Sequence, residues 1–156
     1  MVWRLSRREF EAGKGEGNRR ALQSLASRFP APGILAYRGD QPLGWCAVAP
    51  RSEYPALRRS RVLKPVDDQP VWSISCIFVA REARRSGLSV FLLRSAVEFA
   101  RSCGARIIEG YPVEPRSTDM PAAFAWTGLA NAYLKAGFVE VARHSPTRPI
   151  MRFPTA

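Results

Sequence analysis

The stretch "CIFVAREARRSGLSVFLL", residues 76–93, decides the fold prediction, because two apolar runs of different period flank a basic turn. The first run ends a segment rich in β-branched and aromatic residues, 71–79, which predicts a buried strand. The second run lies in the segment 86–104, where apolar residues recur at steps of three and four and Gly104 stands as a C-terminal cap. The stretch therefore predicts a strand followed by a long helix.

A proline-free window between Val71 and Tyr111 surrounds this stretch. Proline is excluded from central strands and helix interiors, so the window is predicted to hold the central secondary structure. Its last segment, "RIIEGY" (106–111), predicts a second strand. Strand, helix and strand together predict one β-α-β unit, which closes right-handed with parallel strands.

The flanking segments predict further helices and strands around this unit. Residues 18–29 predict a helix with Asn18 as N-cap and one apolar side, formed by Ala21, Leu22, Leu25 and Phe29. A hairpin is predicted at 33–50 with its turn at Gly39 and Asp40, and "EYPAL" predicts a short helical turn. A helix ended by Gly137 and two final strands follow, at 121–137, 138–143 and 148–153. This order of helices and strands along the chain predicts a mixed α/β sheet in one domain, residues 1–156.

The composition excludes several classes of protein. Three cysteines without C-x-x-C spacing argue against a disulfide framework or a zinc site, and a single histidine, His144, offers no metal cluster. We therefore expect no metal. Neither a signal segment nor 18 consecutive apolar residues is present, which predicts a cytoplasmic protein without a membrane span.

The net charge of +11 leaves three kinds of anionic partner open: nucleic acid, an acidic membrane surface or a polyanionic small ligand. Of the 24 basic residues, 21 are arginine, and they are spread along the chain rather than gathered in one tail. Such a distribution is more typical of a solvated surface than of a binding stripe. A nucleic-acid module therefore stays a minor alternative.

The loop that follows the first window strand has the elements of a phosphate site. It brings the chain to the carboxyl edge of the sheet and enters a helix whose first amides are unpaired. Gly87 would let a ligand approach the backbone, and a helix N-terminus favours an anion. The alternative is an ordinary turn, with Ser86 as N-cap and the arginines as a solvated face.

Arg84, Gly87 and Ser89 fit the R/Q-x-x-G-x-G/A pattern of the GNAT superfamily of N-acetyltransferases, which the chain resembles over residues 18–153. Ser89 departs from the usual glycine or alanine. "AYLKAGF" (132–138) follows in the superfamily's order, and "EGYPVEP" with "SPTRPIMRF" looks like a bacterial branch. The resemblance implies an α/β (α+β) fold with a centrally splayed sheet flanked by helices. Superfamily members generally begin with a strand, so the chain either lacks it or begins short of its natural start.

The resemblance also implies a cofactor and the residues that bind it. Acetyl-CoA is the expected co-substrate, with its pyrophosphate in the loop formed by Arg84, Arg85, Ser86, Gly87, Leu88 and Ser89. Backbone amides near Ile77, Phe78 and Val79 are the expected oxyanion donors.

Two residues are predicted to act in catalysis, and three to contact the acceptor. Tyr133 holds the place of the tyrosine that protonates the CoA thiolate in many superfamily members, and the alternative is a buried core aromatic. Glu109 is the expected base, with Glu114 in reserve, and a salt-bridged strand-end carboxylate is its alternative. His144 is a weaker candidate for the base. The residues predicted to bind the acceptor are Tyr54, Glu114 and Trp126, with Trp3, Phe10, Trp45 and the loop 112–121 as further wall candidates.

These expectations favour an acetyl-CoA-dependent N-acetyltransferase that acts by direct transfer on a small-molecule or peptide amine. A regulatory domain that binds acyl-CoA without catalysis remains an alternative function. For the oligomeric state, a homodimer stays open. The acceptor itself is not predicted.

Overall fold

The computed structural model describes residues 1–115 and 125–154, which build one six-stranded mixed sheet flanked by helices. The sheet order is β1-β2-β3-β4-β6-β5, and β3 with β4 is the parallel pair among antiparallel neighbours. The strands are β1 (Gly33–Arg38), β2 (Gln41–Pro50), β3 (Val71–Val79), β4 (Ile107–Gly110), β5 (Val139–Arg143) and β6 (Pro149–Phe153). The helices are α1 (Arg7–Ala12), α2 (Glu16–Ala26), α3 (Pro55–Arg58), α4 (Leu88–Ser102) and α5 (Ala130–Ala136).

The predicted β-α-β unit is confirmed as β3, α4 and β4. β3 pairs with β4 from Val71 opposite Ile107 to Ile74 opposite Gly110. β3 then continues to Val79, whereas β4 ends, so the two strands separate at their carboxyl ends. This central gap is the splay that the sequence resemblance implies.

Helix α4 holds the sheet from one side because its apolar face is continuous. Its fully buried positions pack against β2 and β3 in the main core, and these positions are Leu92, Leu93, Ala96, Val97 and Ala100. Gly104 follows with φ +87°, the left-handed conformation that glycine adopts most readily, so the predicted helix end is confirmed. A second core on the opposite face of the sheet contains Tyr54, Leu57 and Tyr111.

Two helix predictions need correction. Helix α2 begins at Glu16 with Gly15 as N-cap, because the side chain of Asn18 donates a hydrogen bond to the Phe10 carbonyl instead of capping the helix. Phe29 is 90% exposed and does not complete a buried face.

The predicted helix 121–137 is shorter than expected. It begins only at Ala130, since residues 126–129 are tied to neighbouring backbone, and 121–124 lie outside the described residues. The hairpin, the short turn near Pro55 and the last two strands lie where they were predicted.

The chain enters the fold through a turn and not through a strand. Among the described residues, no strand precedes α1. Helix α1 starts with a capping box, in which Glu9 N–H donates to Ser6 Oγ at 3.2 Å and Ser6 N–H donates to Glu9 Oε2 at 2.8 Å. Within the described ranges, no helix has the length and apolar character that crossing a membrane requires.

Candidate active site

The loop between β3 and α4 presents a run of unpaired backbone amides. Arg85 and Gly87 have φ values of +63° and +83°, and the Ser86 hydroxyl donates to the Ala83 carbonyl at 2.7 Å. The first amide with a backbone acceptor is that of Val90, which donates to Gly87 O at 3.0 Å. Within the described part of the chain, the five amides of 85–89 have no hydrogen-bond partner.

This loop has the geometry of an anion site. Ser86 does not cap α4, because its hydroxyl bonds backward and Gly87 occupies the N-cap position. A Cβ placed on Gly87 would meet no atom within 4 Å, so a ligand has free access to the backbone there. Amides that converge at a helix start, with positive φ between them, form an anion-binding concavity. The role of the loop in binding acetyl-CoA stays a prediction.

Only one of the three predicted oxyanion amides faces the gap without a visible acceptor. Ile77 N–H donates to Trp126 O at 2.7 Å, and Ala80 N–H donates to Leu43 O on β2 at 2.8 Å. Because successive amides of a strand point to opposite sides, Phe78 N–H points to β2 and Val79 N–H to the gap. Val79 is therefore the best-placed donor of the three.

The segment 125–129 lines the gap between the separated strands. Val113 N–H donates to Gly128 O at 2.8 Å, which fixes the segment against the chain beyond β4, while the Ile77 bond fixes it against β3. Thr127 is fully buried within it, and its Oγ1 has no hydrogen-bond partner among the residues that the structure describes. Most buried hydroxyls are satisfied, so this atom marks a polar position in the gap.

Tyr133 lies at the floor of the gap, between two glycines. A Cβ on Gly110 would come 2.1 Å from Tyr133 Cε1, and one on Gly128 would come 2.8 Å from Cε2, so only glycine admits the ring at both positions. The hydroxyl donates to the Thr127 carbonyl at 3.2 Å. Burial raises the pKa of Tyr133 well above its usual value, while the charge of Arg148 acts in the opposite direction. Its acid role stays a prediction.

Glu109 lies in a buried ion network rather than at an open strand end. Its side chain is 1% exposed. Its Oε1 accepts hydrogen bonds from Arg51 at 3.0 Å and from the Tyr111 hydroxyl at 2.7 Å. Its Oε2 accepts a hydrogen bond from Arg152 at 2.9 Å. The Tyr111 hydroxyl also lies 2.7 Å from Ser73 Oγ. An amine could reach this carboxylate only by displacing one of these partners.

The predicted acceptor residues are partly covered by the N-terminal turn. Trp3 stacks on Trp126 with ring centroids 5.4 Å apart, and its Nε1 donates to Ser75 O at 3.1 Å. Tyr54 is only 2% exposed and lies under the Arg4 guanidinium, 4.6 Å from the ring centroid. Trp3 was a candidate for the acceptor wall, but its bond to Ser75 was not predictable, because the two residues are 72 positions apart.

The remaining candidates lie at the surface or apart from the gap. Glu114 is exposed and pairs with Arg143. His144 is exposed, and Trp45 packs near Gly33 at the edge hairpin. Part of the loop 112–121 lies outside the described residues.

A cavity of about 520 Å³ lies at the other end of the parallel strands, beside Val71 and Ile107. Ligands of open α/β sheets bind at the carboxyl ends of the strands, and this cavity contains none of the predicted catalytic residues. We therefore place the candidate site at the gap and not in this cavity. The described residues contain no group of three or more side chains that could hold a metal ion.

Comparison with protein families gives a match over most of the chain. The model of the Acetyltransferase (GNAT) family matches residues 1–124. No curated protein sequence matches this chain.

Several solved structures share the fold. The ribosomal-protein-alanine N-acetyltransferase of Brucella melitensis has a TM-score of 0.56 and 18% identity, and the match covers 89% of this chain and 77% of that one. The yncA protein of Salmonella typhimurium, solved with its cofactor acetyl-CoA, has a TM-score of 0.55 and 16% identity over 86% and 70% of the two chains. The NatC complex bound to Gag peptide and CoA has a TM-score of 0.54 and 13% identity over 88% and 79%. Identities this low establish the fold alone.

Proposed function

Because this chain belongs to the acetyltransferase (GNAT) family, we propose that it transfers an acetyl group from acetyl-CoA directly to a primary amine while both are bound. The observation that carries the proposal is the run of five unpaired amides, 85–89, at the start of the 15-residue helix α4. A diphosphate would satisfy these amides and gain from the positive end of the helix dipole. The exposed arginines of the loop would add attraction.

The reaction asks three things of the site. The amine must be neutral, which for a lysine-like amine at pH 7 costs about 4.6 kcal/mol. Its nitrogen then attacks the thioester carbonyl carbon, and the negative charge on the carbonyl oxygen needs a donor, for which Val79 N–H is our candidate. Finally the C–S bond breaks, and the CoA thiolate takes up a proton.

We propose that Tyr133 supplies this proton. What supports this role is that the hydroxyl lies beside Gly110 at the end of β4 and that, within the described residues, its hydrogen bond is to Thr127 O. A thiol with a pKa near 8.5 leaves without much help, so the contribution of the acid should be modest.

For the base we propose Glu114, the former reserve candidate, and assign Glu109 a positioning role. Glu114 follows the end of β4 and is exposed, with one ion pair to Arg143. Glu109 instead holds Arg51, Arg152 and Tyr111 in place. Glu114→Gln should lower kcat, whereas Glu109→Gln should mainly lower stability.

Thermal unfolding with CoA and acetyl-CoA, followed by thiol release with a panel of amines, tests the proposal. A ligand at one hundred times its dissociation constant adds about 2.7 kcal/mol to the free energy of unfolding, which a domain of this size would show clearly. We expect both cofactors to stabilise the protein and an amine to accelerate thiol release. Binding without amine-dependent release would instead support an acyl-CoA-binding regulatory domain, and no binding would exclude both.

A cytoplasmic location stays a proposal. The three cysteines are all free thiols, which fits a reducing compartment.

A further inference from the structure

Arg148 is a half-buried cation that no carboxylate in the described structure neutralises. It lies just before β6, and its Nη2 donates to the Tyr111 carbonyl at 3.2 Å. Arg51 and Arg152, which are also partly buried, each pair with at least one carboxylate within the described ranges. Burial lowers the pKa of Arg148, which means that the fold disfavours its charged form. Within the described residues, no carboxylate offsets this desolvation cost.

The position of Arg148 connects it to the candidate site. Tyr111 comes directly after β4, where the gap opens, and Glu114 N–H donates to Thr147 O at 2.9 Å, which fixes the Arg148 loop against the same edge. Val113, the residue before Glu114, is fixed against the segment 125–129 that lines the gap, because its N–H donates to Gly128 O at 2.8 Å.

The segment 125–129 carries a second polar group without a partner. Thr127 Oγ1 is buried, and within the described residues it has no hydrogen-bond partner. A buried hydroxyl without a partner costs free energy, as does a desolvated guanidinium without a counter-ion. A carboxylate on an incoming molecule would supply the counter-ion that Arg148 lacks, because it accepts charge-assisted hydrogen bonds from a guanidinium.

We propose that Arg148 binds a carboxylate of the acceptor, so that the preferred acceptors are amines with a carboxylate close to the amino group. Free amino acids and peptides with an acidic residue next to the N-terminus are the two sources of this chemistry. The inference rests on the proposed function, since it assigns the acceptor of that same site. Arg148 is here a binding residue and takes no part in proton transfer.

The test compares acceptors in matched pairs. Amino acids are compared with their C-terminal amides, and tripeptides with aspartate at the second position are compared with the same peptides carrying asparagine. We expect the carboxylated member of the preferred pairs to have at least a tenfold higher kcat/KM. The pair type that shows the preference identifies the source of the carboxylate.

Arg148→Met should remove this preference, because kcat/KM should fall much further for the carboxylated acceptor than for its uncharged partner. Loss of a charge-assisted hydrogen bond corresponds to a fall of about 10- to 100-fold in kcat/KM for the carboxylated acceptor, expressed mainly in KM. Arg148→Lys should retain part of the preference. Arg94→Met is the matched control, because Arg94 also donates to one backbone carbonyl, that of Lys135 at 2.9 Å, but lies exposed on α4.

Cofactor binding separates the two possible failures. Stabilisation of the wild type by CoA, together with equal rates for both members of every pair, would overturn the carboxylate site and leave the proposed function standing. If Arg148→Met and Arg148→Lys each lower kcat/KM equally for both members of a pair, the carboxylate site is likewise overturned and the proposed function stands. Absence of CoA binding would overturn the proposed function, and the acceptor site with it.

Discussion

Gly87 and Gly104 stand at the two ends of α4 in nearly the same backbone conformation, with φ values of +83° and +87°. A Cβ on either glycine would meet no atom within 4 Å. Alanine should therefore cost the same at both, about 1–2 kcal/mol for a side chain in the left-handed region. We predict that only Gly87→Ala also weakens CoA binding, about tenfold, because its backbone faces the proposed diphosphate.

Denaturant unfolding and calorimetric titration with CoA measure the two effects separately. Gly104→Ala serves as the control for strain. If the two variants bind CoA equally well, the diphosphate does not lie on the loop 85–89.

Tyr133→Phe tests the proposed acid without disturbing the packing. The ring would stay between Gly110 and Gly128, and the lost hydrogen bond to Thr127 O should lower the free energy of unfolding by about 1 kcal/mol. We expect kcat to fall by up to about 100-fold while the KM for acetyl-CoA is unchanged. Steady-state kinetics checks this, with the exposed Tyr37→Phe as control. Unchanged turnover would remove Tyr133 from the mechanism.

Residues that act through local conformation were predictable, and those that act through distant partners were not. Gly87 and Gly104 are signalled by their own sequence neighbourhood, since a strand end, a helix start and a helix end are local features. Glu109 was placed correctly at the end of its strand, but its partner Arg51 is 58 positions away. A salt-bridged carboxylate was one of the two alternatives for Glu109, but no periodicity in the sequence identifies Arg51 as its partner.

At the scale of the element, tertiary contacts override local pattern around the gap. The apolar pattern of 121–137 predicted a helix, yet 126–129 use their backbone to bind Ile77 and Val113. The helix begins where these bonds end, at Ala130. α4 was predictable because its hydrophobic face is long and regular, and β3 because its run of β-branched and aromatic residues is long.

The N-terminal turn, residues 1–5, covers the face of β3 opposite α4. Trp3 bonds to Ser75, the extra residue of a β-bulge, since Ala47 pairs with Cys76 and Val48 with Ile74. We predict that Trp3→Ala raises the KM of the amine acceptor about tenfold and leaves CoA affinity unchanged, because an aromatic wall is lost on the acceptor side only.

Trp72→Ala is the matched control for this prediction. Trp72 is also half-buried, but it packs edge-on against Phe99, with centroids 6.4 Å apart, in the core beneath α4. Both substitutions should lower the free energy of unfolding, and acceptor kinetics should respond to Trp3→Ala alone. Equal kinetic effects in the two variants would show that the turn acts only through stability.

For the whole molecule, the shifted pKa values predict a broad stability optimum. Hydrogen bonds from Arg152 lower the pKa of Asp67, and those from Arg143 lower the pKa of Glu140. Carboxyls with a lowered folded pKa stabilise the protein above their unfolded value and lose this contribution as the pH falls below about 4. Burial raises the pKa of Tyr111, so its neutral form stabilises the fold up to about pH 10 and this contribution declines above.

Thermal unfolding between pH 3 and 11 should therefore show a plateau from about pH 5 to 9, with a fall on each side. Asp67→Asn should weaken the acidic fall, because it removes one of the groups that titrate there. A melting temperature that stays level from pH 7 to pH 3 would contradict the role of these ion pairs.

The net charge of +11 should attract other anions besides acetyl-CoA, nucleic acid among them. Six arginines in the described ranges form ion pairs, and the arginines as a whole are spread along the chain; the paired ones are Arg4, Arg19, Arg20, Arg51, Arg143 and Arg152. A surface of this kind should bind duplex DNA only non-specifically, with a dissociation constant of about 10⁻⁴ to 10⁻⁶ M that weakens steeply with salt. Acetyl-CoA carries fewer phosphates than a duplex site and should bind with a smaller salt dependence. Fluorescence anisotropy with a labelled duplex between 50 and 200 mM salt, with and without acetyl-CoA, measures both. Tight duplex binding that persists at high salt and ignores acetyl-CoA would favour a nucleic-acid module over an acetyltransferase.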